Sequence, residues 1–406
     1  MQPKPLSGIR VLEIGGYISM PYAASMLCAL GADVVKVERP GTGDDFRRAM
    51  NDRSPYFMQY NAGKRSLAVD LKQPAGVTVV KALVPGFDVL MENMRPGKMA
   101  ALGLGPQDCT AVRPDLVYAS VTGFGSGGPL VDRPAYDTIG QAFGGLYSVL
   151  SDAGSAQLSG TPIADLITGI AATTGILAAL VGRGSTGRAQ FVETSLMEAV
   201  STLTVDALTQ YFDSGRTEPT RRSRHPQAQN FVLKTAAGEE IAIHLSSSQK
   251  FWLAFLDAMD RPDLADDPRF VGYPDRVETY VELAEIAAAE FIRKPARHLE
   301  KVLLEADVPF APVLTMSAYM RHPQVEWLEL IEPERDGVAL LRPPWRFAGQ
   351  RPERSSATPR VGQHTREIAA EVYDQQTIEQ LLTTGVLFTE DAEPDIDPVR
   401  HAPQAL

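Results

Sequence analysis

Short apolar runs separated by turn-forming residues dominate the first half of the chain, and their lengths suit strands that alternate with helices. Ile9 to Ile14 and Asp33 to Glu38 predict two strands, with a helix between them that ends at about Leu30. Gly31 directly follows that helix, where a glycine commonly ends one. A strand, a helix and a second strand in this order predict a βαβ unit and therefore an open α/β sheet.

The pattern continues to about residue 212 and then changes. Further strands are predicted at 66–71, 88–91, 116–122 and 190–193, and a helix from Ser195 to about Phe212. Beyond a polar stretch, a hairpin is predicted at 231–233 and 241–245, and helices near 249–259, 278–293 and 296–306. The change from βα units to a hairpin with helices indicates a second, smaller α+β domain.

These elements predict the domain bounds. The N-terminal part of a large domain spans 1–215, a linker spans 216–227 and the small domain spans 228–325. A return segment, 326–390, completes the large domain, and a tail follows at 391–406. The small domain is therefore expected as an insertion in the large one.

One apolar segment carries a single acid. Asp165 is the only charge between Pro162 and Val181, and the segment is expected to form a buried helix. Thr161 can cap this helix through its hydroxyl, and Pro162 suits its first position. Asp165 faces a strip of small side chains, which predicts close packing against another backbone or a ligand and disfavours a membrane span. The strip consists of Thr168, Gly169, Ala172 and Gly175, and Ile176 follows it.

Composition and charge exclude several classes of protein. A net charge of -11 over 406 residues disfavours general binding to nucleic acids or anionic membranes. The two cysteines, Cys28 and Cys109, are far apart in sequence, so a reducing cytosol is expected. All six histidines lie beyond residue 224, which leaves the N-terminal half without a local Ser-His or Cys-His pair. No metal-binding motif is present, and no metal is predicted.

The first βα turn disfavours a nicotinamide-dependent oxidoreductase. Gly15 and Gly16 are followed by Tyr17, Ile18 and Ser19, so the later glycines of the dinucleotide fingerprint are missing.

Nine segments, taken together and in order, resemble the class III CoA-transferases. This family includes the formyl-CoA:oxalate and carnitine CoA-transferases and the α-methylacyl-CoA racemases. The resemblance extends from about Leu6 to Leu387. The segments are Gly31–Pro40, Asn61–Ser66, Glu92–Gly97, Thr122–Gly125, Ala135–Asp137, the region of Asp165, Gly187–Gln190, Asp267–Phe270 and Gly362–Thr365.

The resemblance implies a fold and an activity. The fold is a Rossmann-like α/β large domain with an inserted smaller α+β domain, in a homodimer whose two chains are interlocked. The activity is transfer of CoA from an acyl-CoA donor to a free carboxylic acid. Because members of the family commonly use succinyl-CoA, the resemblance suggests it as the donor. CoA and acyl-CoA are then substrates, and no cofactor is expected to be tightly bound. The net charge separately predicts that neither nucleic acid nor membrane is a partner.

The resemblance also implies site residues. Asp165 matches the catalytic nucleophile, and a carboxylate with an ordinary pKa near 3.9 is ionised at neutral pH without a general base. The matching CoA-binding positions are Arg39, Val69, Lys72, Asn93, Met94, Arg95, Tyr136 and Asp137. Structural roles are the alternatives: a helix-dipole acid for Asp165, surface charge for Arg39 and Lys72, a turn for Asn93, and a helix cap for Asp137.

Departures from the family pattern leave other functions open. Ala101 stands where many members have a basic residue, so one phosphate contact is missing. The racemase branch has a histidine where this chain has Tyr136, which favours transfer over racemisation. A non-catalytic CoA-binding protein is a further alternative. The stretch from Arg221 to His225 is either a solvated linker or a site for the second carboxylate of a dicarboxylic substrate.

Overall fold

The computed structural model describes residues 4–48, 54–188, 190–333, 338–354 and 357–389. The chain divides into two compact units, a larger one of 1–144, 159–203 and 327–406 and a smaller one of 145–158 and 204–326. Residues 204–227, which the sequence pattern placed partly in the large domain and partly in a linker, belong to the smaller unit. The predicted tail, 391–406, lies outside the described residues.

A mixed but mainly parallel sheet forms the centre of the larger unit. Within the described residues it has seven strands in the order β10-β3-β2-β1-β4-β5-β6. They are β1 (Arg10–Ile14), β2 (Asp33–Glu38), β3 (Arg65–Val69), β4 (Val89–Glu92), β5 (Val117–Thr122), β6 (Gln190–Ser195) and β10 (Leu387–Phe388). All neighbours are parallel except β10, which pairs with β3 in the antiparallel direction. The predicted α/β sheet is confirmed.

Helices cover both faces of this sheet, as in other parallel sheets. They are α1 (Ser19–Ala29), α2 (Pro55–Asn61), α3 (Pro74–Leu83), α4 (Lys98–Ala101), α5 (Pro106–Val112), α6 (Asp137–Phe143), α8 (Ile163–Thr186), α9 (Leu196–Ser201), α18 (Thr365–Ala369) and α19 (Gln375–Thr383). Alternate strand residues enter two separate cores. In β1, Leu12 packs with Val80 and Phe87 on one face, and Val11 packs with Ala24 and Ile176 on the other.

The strand order fixes where a ligand can bind. From β1 the chain adds β2 and β3 on one side of the sheet, and then β4, β5 and β6 on the other side. The connections therefore diverge between β1 and β4. Open α/β sheets bind ligands at such a divergence, outside the carboxyl ends of the strands. Gly15 follows β1 and Asn93 follows β4 at this edge.

The helix that carries Asp165, α8, buries only one of its faces. Its small-residue strip packs against α1: a Cβ on Gly169 would lie 2.9 Å from the backbone oxygen of Ser19. The strip therefore accommodates another backbone and is not room for a ligand. Outside this strip Val181 is 74% exposed, so the expected burial holds for only part of the helix surface. α8 is the one helix in the described residues that is long and apolar enough to cross a membrane.

The smaller unit has its own sheet and core. Its strands are β7 (Asn230–Lys234), β8 (Glu240–His244) and β9 (Phe310–Pro312), all antiparallel, so the predicted hairpin is confirmed. Its helices are α7 (Leu146–Leu150), α10 (Val205–Asp213), α11 (His225–Ala228), α12 (Gln249–Met259), α13 (Tyr273–Glu278), α14 (Tyr280–Phe291), α15 (Ala296–Glu305) and α16 (Met316–Met320), with α17 (Pro323–Trp327) at its boundary. The aromatic core includes Trp252, Phe255 and Phe291.

The predicted helix from Ser195 to Phe212 is not continuous. Ser195 ends β6 and caps α9, because its hydroxyl accepts the backbone N–H of Glu198 at 3.2 Å. α9 ends at Ser201, and α10 begins at Val205. Periodicity alone could not show this break, because apolar residues continue across it.

Candidate active site

A cavity of about 800 Å³ lies in the larger unit at the carboxyl ends of the strands. Among the residues predicted for the site, those that line the cavity are Asp165, Arg39, Val69, Lys72, Asn93, Met94, Arg95 and Tyr136. Asp137 is not among the residues that line the cavity. It is the first residue of α6, and its side chain contacts the first turn of α8. Segments far apart in sequence are thus brought together at one edge of the sheet.

Asp137 caps the helix that carries Asp165. Its Oδ1 accepts the backbone N–H groups of Ala164 at 2.8 Å and Asp165 at 3.2 Å, and its Oδ2 accepts from Gln141 at 2.6 Å. The hydroxyl of Thr161 does not cap α8, and Pro162 is the N-cap instead of the first helical residue. The predicted cap was therefore wrong, because an acid from another helix occupies that place. As an alternative, Asp137 was expected to cap the helix that follows it. It begins that helix, α6, and its carboxylate caps α8 instead.

The environment of Asp165 opposes ionisation. Burial raises the pKa of Asp165 to about 7, and the negative charge of Asp137 adds to the rise, while a hydrogen bond from the Ser19 hydroxyl lowers the pKa. The sequence predicted an ordinary carboxylate, ionised at neutral pH and favoured by the helix dipole. The pKa differs from that expectation mainly because Asp165 is buried, and also because the negatively charged Asp137 occupies the positive end of the helix. Asp165 is therefore only partly ionised near neutral pH.

Asn93 holds the loop after β1. Its Oδ1 accepts the N–H of Gly16 at 3.1 Å, and its Nδ2 donates to the Gly16 oxygen at 2.9 Å. Two atoms of the side-chain amide are thus engaged with the backbone of one residue. The side chain of Asn93 fixes the floor of the cavity at the point where β1 and β4 diverge.

Tyr136 stands at the mouth of the cavity. It is 62% exposed, and its ring meets that of Tyr17 edge to face at a centroid distance of 5.4 Å. A hydrogen bond to Tyr136 and burial together raise the pKa of Tyr17. The Tyr17 phenol is therefore neutral near pH 7, and the two side chains offer ring faces and hydroxyls to a ligand.

Exposed cations surround the cavity. Besides Arg39, Lys72 and Arg95, the lining includes Lys98 and Arg133, which were not predicted from the sequence. Arg39 forms an ion pair with Asp45. Lys98 begins α4, the helix that ends at Ala101, so it supplies a positive charge three residues before the position where the family's basic residue is missing. The set suits a ligand with several phosphates.

Several further residues near Asp165 were missed. Ser19 begins α1 and lines the cavity together with Asp165. The ring of Tyr60 lies close enough that burial and the charge of Asp165 raise the pKa of Tyr60 to about 12. Lys36 is fully buried below the loop and also lines the cavity. The sequence did contain a signal for Lys36: β1 and β2 are apolar strands that each include charged residues, and a charge in a buried strand needs a partner.

The stretch Arg221 to His225 lies in the smaller unit. Arg221 and Arg222 both pair with Asp152, at 3.0 Å each, and line a separate groove with His225. Burial and the charges of Arg221 and Arg224 lower the pKa of His225, which favours its neutral form. These contacts give the two arginines a partner within the smaller unit.

The fold and the cavity define an α/β protein with a buried acid in a cation-lined site. A family model described as CoA-transferase family III matches residues 6–365. The chain therefore belongs to CoA-transferase family III and is an enzyme of that class. The resemblance seen in the sequence is confirmed.

Individual relatives agree with this assignment. Succinyl-CoA:glutarate CoA-transferase of Mus musculus is 31% identical over 396 residues, which cover 95% of this chain and 90% of the relative. Acetyl-CoA:oxalate CoA-transferase of Acetobacter aceti is 33% identical over 329 residues, covering 80% and 84%. A solved structure of a CAIB/BAIF family protein from Brucella suis superposes with a TM-score of 0.81 at 29% identity, covering 92% of this chain and 100% of that one. CoA thioesters are the substrates of the family.

Proposed function

We propose that this enzyme moves CoA from an acyl-CoA donor, with succinyl-CoA as the first donor to test, to a free carboxylic acid through covalent intermediates on Asp165. The position of Asp165 carries this proposal. Asp165 lies in the first turn of α8, and its carboxylate faces a cavity that is lined by lysine and arginine side chains. A thioester that is anchored by its phosphates at the rim can reach an acid placed there.

The chemistry requires two kinds of bond exchange. The Asp165 carboxylate attacks the thioester carbonyl, the C–S bond breaks, and a mixed anhydride and the CoA thiolate form. The thiolate then attacks the aspartyl carbonyl, which releases the donor acid and leaves a thioester on Asp165. The acceptor acid repeats both steps in the opposite order. It forms a second anhydride, and the thiolate takes its acyl group and restores the Asp165 carboxylate.

A raised pKa changes the properties of Asp165 in this scheme. A carboxylate with a pKa of about 7 is more basic than an ordinary one, so its ionised form is a stronger nucleophile. The cost is that part of the enzyme is protonated at neutral pH. The Ser19 hydroxyl favours the ionised form and opposes that loss.

The cation set supports CoA as the ligand. We infer that Arg39, Lys72, Arg95 and Lys98 bind its phosphates, while Tyr136 and Met94 contact less polar parts. Val69, at the end of β3, forms part of the wall. The glycine-rich turn after β5 also lines the cavity, but Gly125 donates its N–H to Thr122 at 2.8 Å. An oxyanion donor from this turn must therefore be Gly123 or Phe124.

Trapping of the intermediate tests the proposal. The full-length enzyme is incubated with succinyl-CoA, quenched with hydroxylamine and digested, and the peptides are analysed by mass spectrometry. A hydroxamate at Asp165 is expected in the wild type and is lost in Asp165→Asn. Asp115→Asn is the control, because it alters a partly exposed aspartate at the amino end of β5. An unmodified Asp165, with full transfer by Asp165→Asn, would contradict the proposal.

Racemisation of a 2-methylacyl-CoA is the second candidate. It requires two groups that exchange a proton near neutral pH. The described residues that line the cavity include no histidine, and Tyr136 stands beside Asp137 instead. Incorporation of deuterium at the α-carbon without exchange of CoA would favour the racemase over the transferase.

We further propose that the enzyme is an interlocked homodimer of the cytosol. Apolar side chains that do not pack within either unit support a partner chain. Val205, Leu208 and Phe212 on α10 are each more than half exposed. Light scattering coupled to size-exclusion chromatography tests the dimer, and a monomer at micromolar concentration would contradict it.

A further inference from the structure

Charged residues within apolar strands meet below the loop that leads to the site. Glu13 of β1 is fully buried and accepts Lys36 Nζ on one oxygen at 2.9 Å and Lys64 Nζ on the other at 2.6 Å. Burial of three charges is costly unless each is paired. The pairs are complete here, since Lys64 also donates to Pro21 and Asn61.

Lys36 uses its remaining bonds to hold the loop. Its Nζ donates to the backbone oxygen of Gly15 at 2.7 Å and lies 3.0 Å from Asp44 Oδ2. Burial alone would lower the pKa of Lys36, but the charges of Glu13 and Asp44 outweigh it and raise the pKa. The ammonium is therefore charged at any working pH, and it lies within 3.0 Å of one oxygen each of Glu13, Gly15 and Asp44.

Asp44 extends this support to the next part of the loop. Its Oδ1 accepts the N–H of Tyr17 at 3.4 Å and that of Phe46 at 2.8 Å. Tyr17 has a φ of 64°, a left-handed conformation that a tyrosine adopts only when its surroundings impose it. The contact from Asp44, on a loop that follows β2, is one of those that hold it.

The loop ends at Ser19, which lines the cavity together with Asp165. The backbone oxygen of Ser19 lies against Gly169, about one turn after Asp165 on α8. Between Gly15 and Ser19 the backbone is thus fixed by Lys36 at its first residue, by Asn93 at its second and by Asp44 at its third. Ser19 then follows after only one more residue, Ile18. A shift of the loop would move the hydroxyl away from the carboxylate.

From this chain of contacts we propose that Lys36 is a positioning residue for the Asp165 site. It acts through the loop of residues 15–19, from below the cavity, and holds Ser19 against Asp165. The inference rests on the proposed role of Asp165 as nucleophile. It gives a function to two sequence segments, around Lys36 and Lys64, that the CoA contacts alone do not explain.

Three variants of the full-length enzyme test the proposal. Lys36→Met removes the ammonium and keeps the length of the side chain, but it leaves Asp44 buried without its cation. Lys36→Met/Asp44→Asn removes both charges, which buried pairs tolerate better, and protects the test against misfolding. Asp33→Asn is the matched control. Asp33 lies three residues before Lys36 on the same strand and pairs with Arg65 at the amino ends of β2 and β3, whereas the cavity lies at the carboxyl ends of the strands.

Two measurements separate positioning from folding. The first is the single-turnover rate at which the Asp165 adduct forms at saturating succinyl-CoA. We expect this rate to fall about 100-fold in Lys36→Met and in the double variant, and to stay unchanged in Asp33→Asn. The second is hydrogen exchange of the Gly16 and Tyr17 amides without substrate. We expect about tenfold faster exchange in both Lys36 variants only.

The outcomes decide between the two proposals. If the wild type forms no Asp165 adduct, the proposed nucleophile is wrong, and the exchange measurement still decides whether Lys36 holds the loop. If the wild type forms the adduct and folded Lys36 variants form it at the same rate, with unchanged exchange at Gly16 and Tyr17, the positioning role is overturned. A lower melting temperature with an unchanged rate overturns it as well.

Discussion

The carboxylate of Asp137 accepts the backbone N–H of Asp165, and its negative charge at the same time raises the pKa of the Asp165 side chain. One acid thus fixes the helix on which the other is presented and opposes its ionisation. A helix N-terminus normally favours an anion in its first turn. Because Asp137 already takes that place, Asp165 receives less of the benefit.

The first prediction concerns the dependence of the rate on pH. Since the pKa of Asp165 is about 7, its ionised fraction rises with pH through that value. The single-turnover rate of adduct formation at saturating acyl-CoA should increase about tenfold between about pH 6 and 8. Asp137→Asn removes the neighbouring charge and should move the midpoint to lower pH. A rate that is constant over this range would show that Asp165 is already ionised.

The second prediction concerns stability. The pKa of Asp165 is higher in the folded chain than its ordinary value near 3.9, so the folded state retains a proton that the unfolded state releases. Folding stability is therefore lost as pH rises from about 4 to about 7. Asp165→Asn removes this effect. Its free energy of unfolding should exceed that of the wild type by a margin that grows by about 2 kcal/mol between about pH 5.5 and 8.5.

Asp115→Asn provides the control for that measurement. Hydrogen bonding to Arg113 lowers the pKa of Asp115, so this acid is ionised in both states over the whole range. Its substitution should change stability by the same amount at both pH values. Denaturant titrations at the two pH values measure both effects. An equal margin for Asp165→Asn at both would contradict the raised pKa.

The third prediction concerns the contact between α1 and α8. A methyl group on Gly169 would lie 2.9 Å from the Ser19 oxygen and 2.9 Å from the Tyr22 ring, so Gly169→Ala must push the helices apart. We expect a loss of about 1–3 kcal/mol in stability and adduct formation slower by about tenfold or more, because Ser19 is displaced. Gly182→Ala on the same helix meets nothing within 4 Å. It should keep full activity and gain up to about 1 kcal/mol.

The fourth prediction concerns the missing basic residue at Ala101. If Lys98 supplies the phosphate contact, Lys98→Ala should weaken CoA binding by about 1 kcal/mol, close to fivefold, with the adduct rate at saturation unchanged. Lys81→Ala, on α3, is the control, since Lys81 does not line the cavity among the described residues. Calorimetric titration with CoA measures both. Equal affinity in Lys98→Ala and the wild type would exclude the contact.

Much of the larger unit could be predicted from sequence because its strands are short and bounded by glycines. β2 was placed at its observed limits, and β1 and β5 within one residue. The position of Asp165 in the first turn of α8 was also correct. Local pattern is sufficient where an element is a buried apolar run with clear ends.

Contacts between distant segments could not be predicted in this way. The cap on α8 comes from Asp137, 28 residues before Asp165, and only the packing of α6 against α8 brings the two together. The pKa of Asp165 depends on the same contact. The pairing of Lys36 with Glu13 follows from the register of β1 and β2, in which these two residues are opposite one another.

The last described strand has a consequence for how the chain is made. β10 covers the edge of β3, yet it consists of Leu387 and Phe388, whereas the smaller unit is complete at residue 326. During synthesis the inserted unit leaves the ribosome whole while β3 still has an open edge. An exposed strand edge invites pairing with other chains. Nascent chains that stall after residue 326 should therefore aggregate through β3 more readily than finished ones.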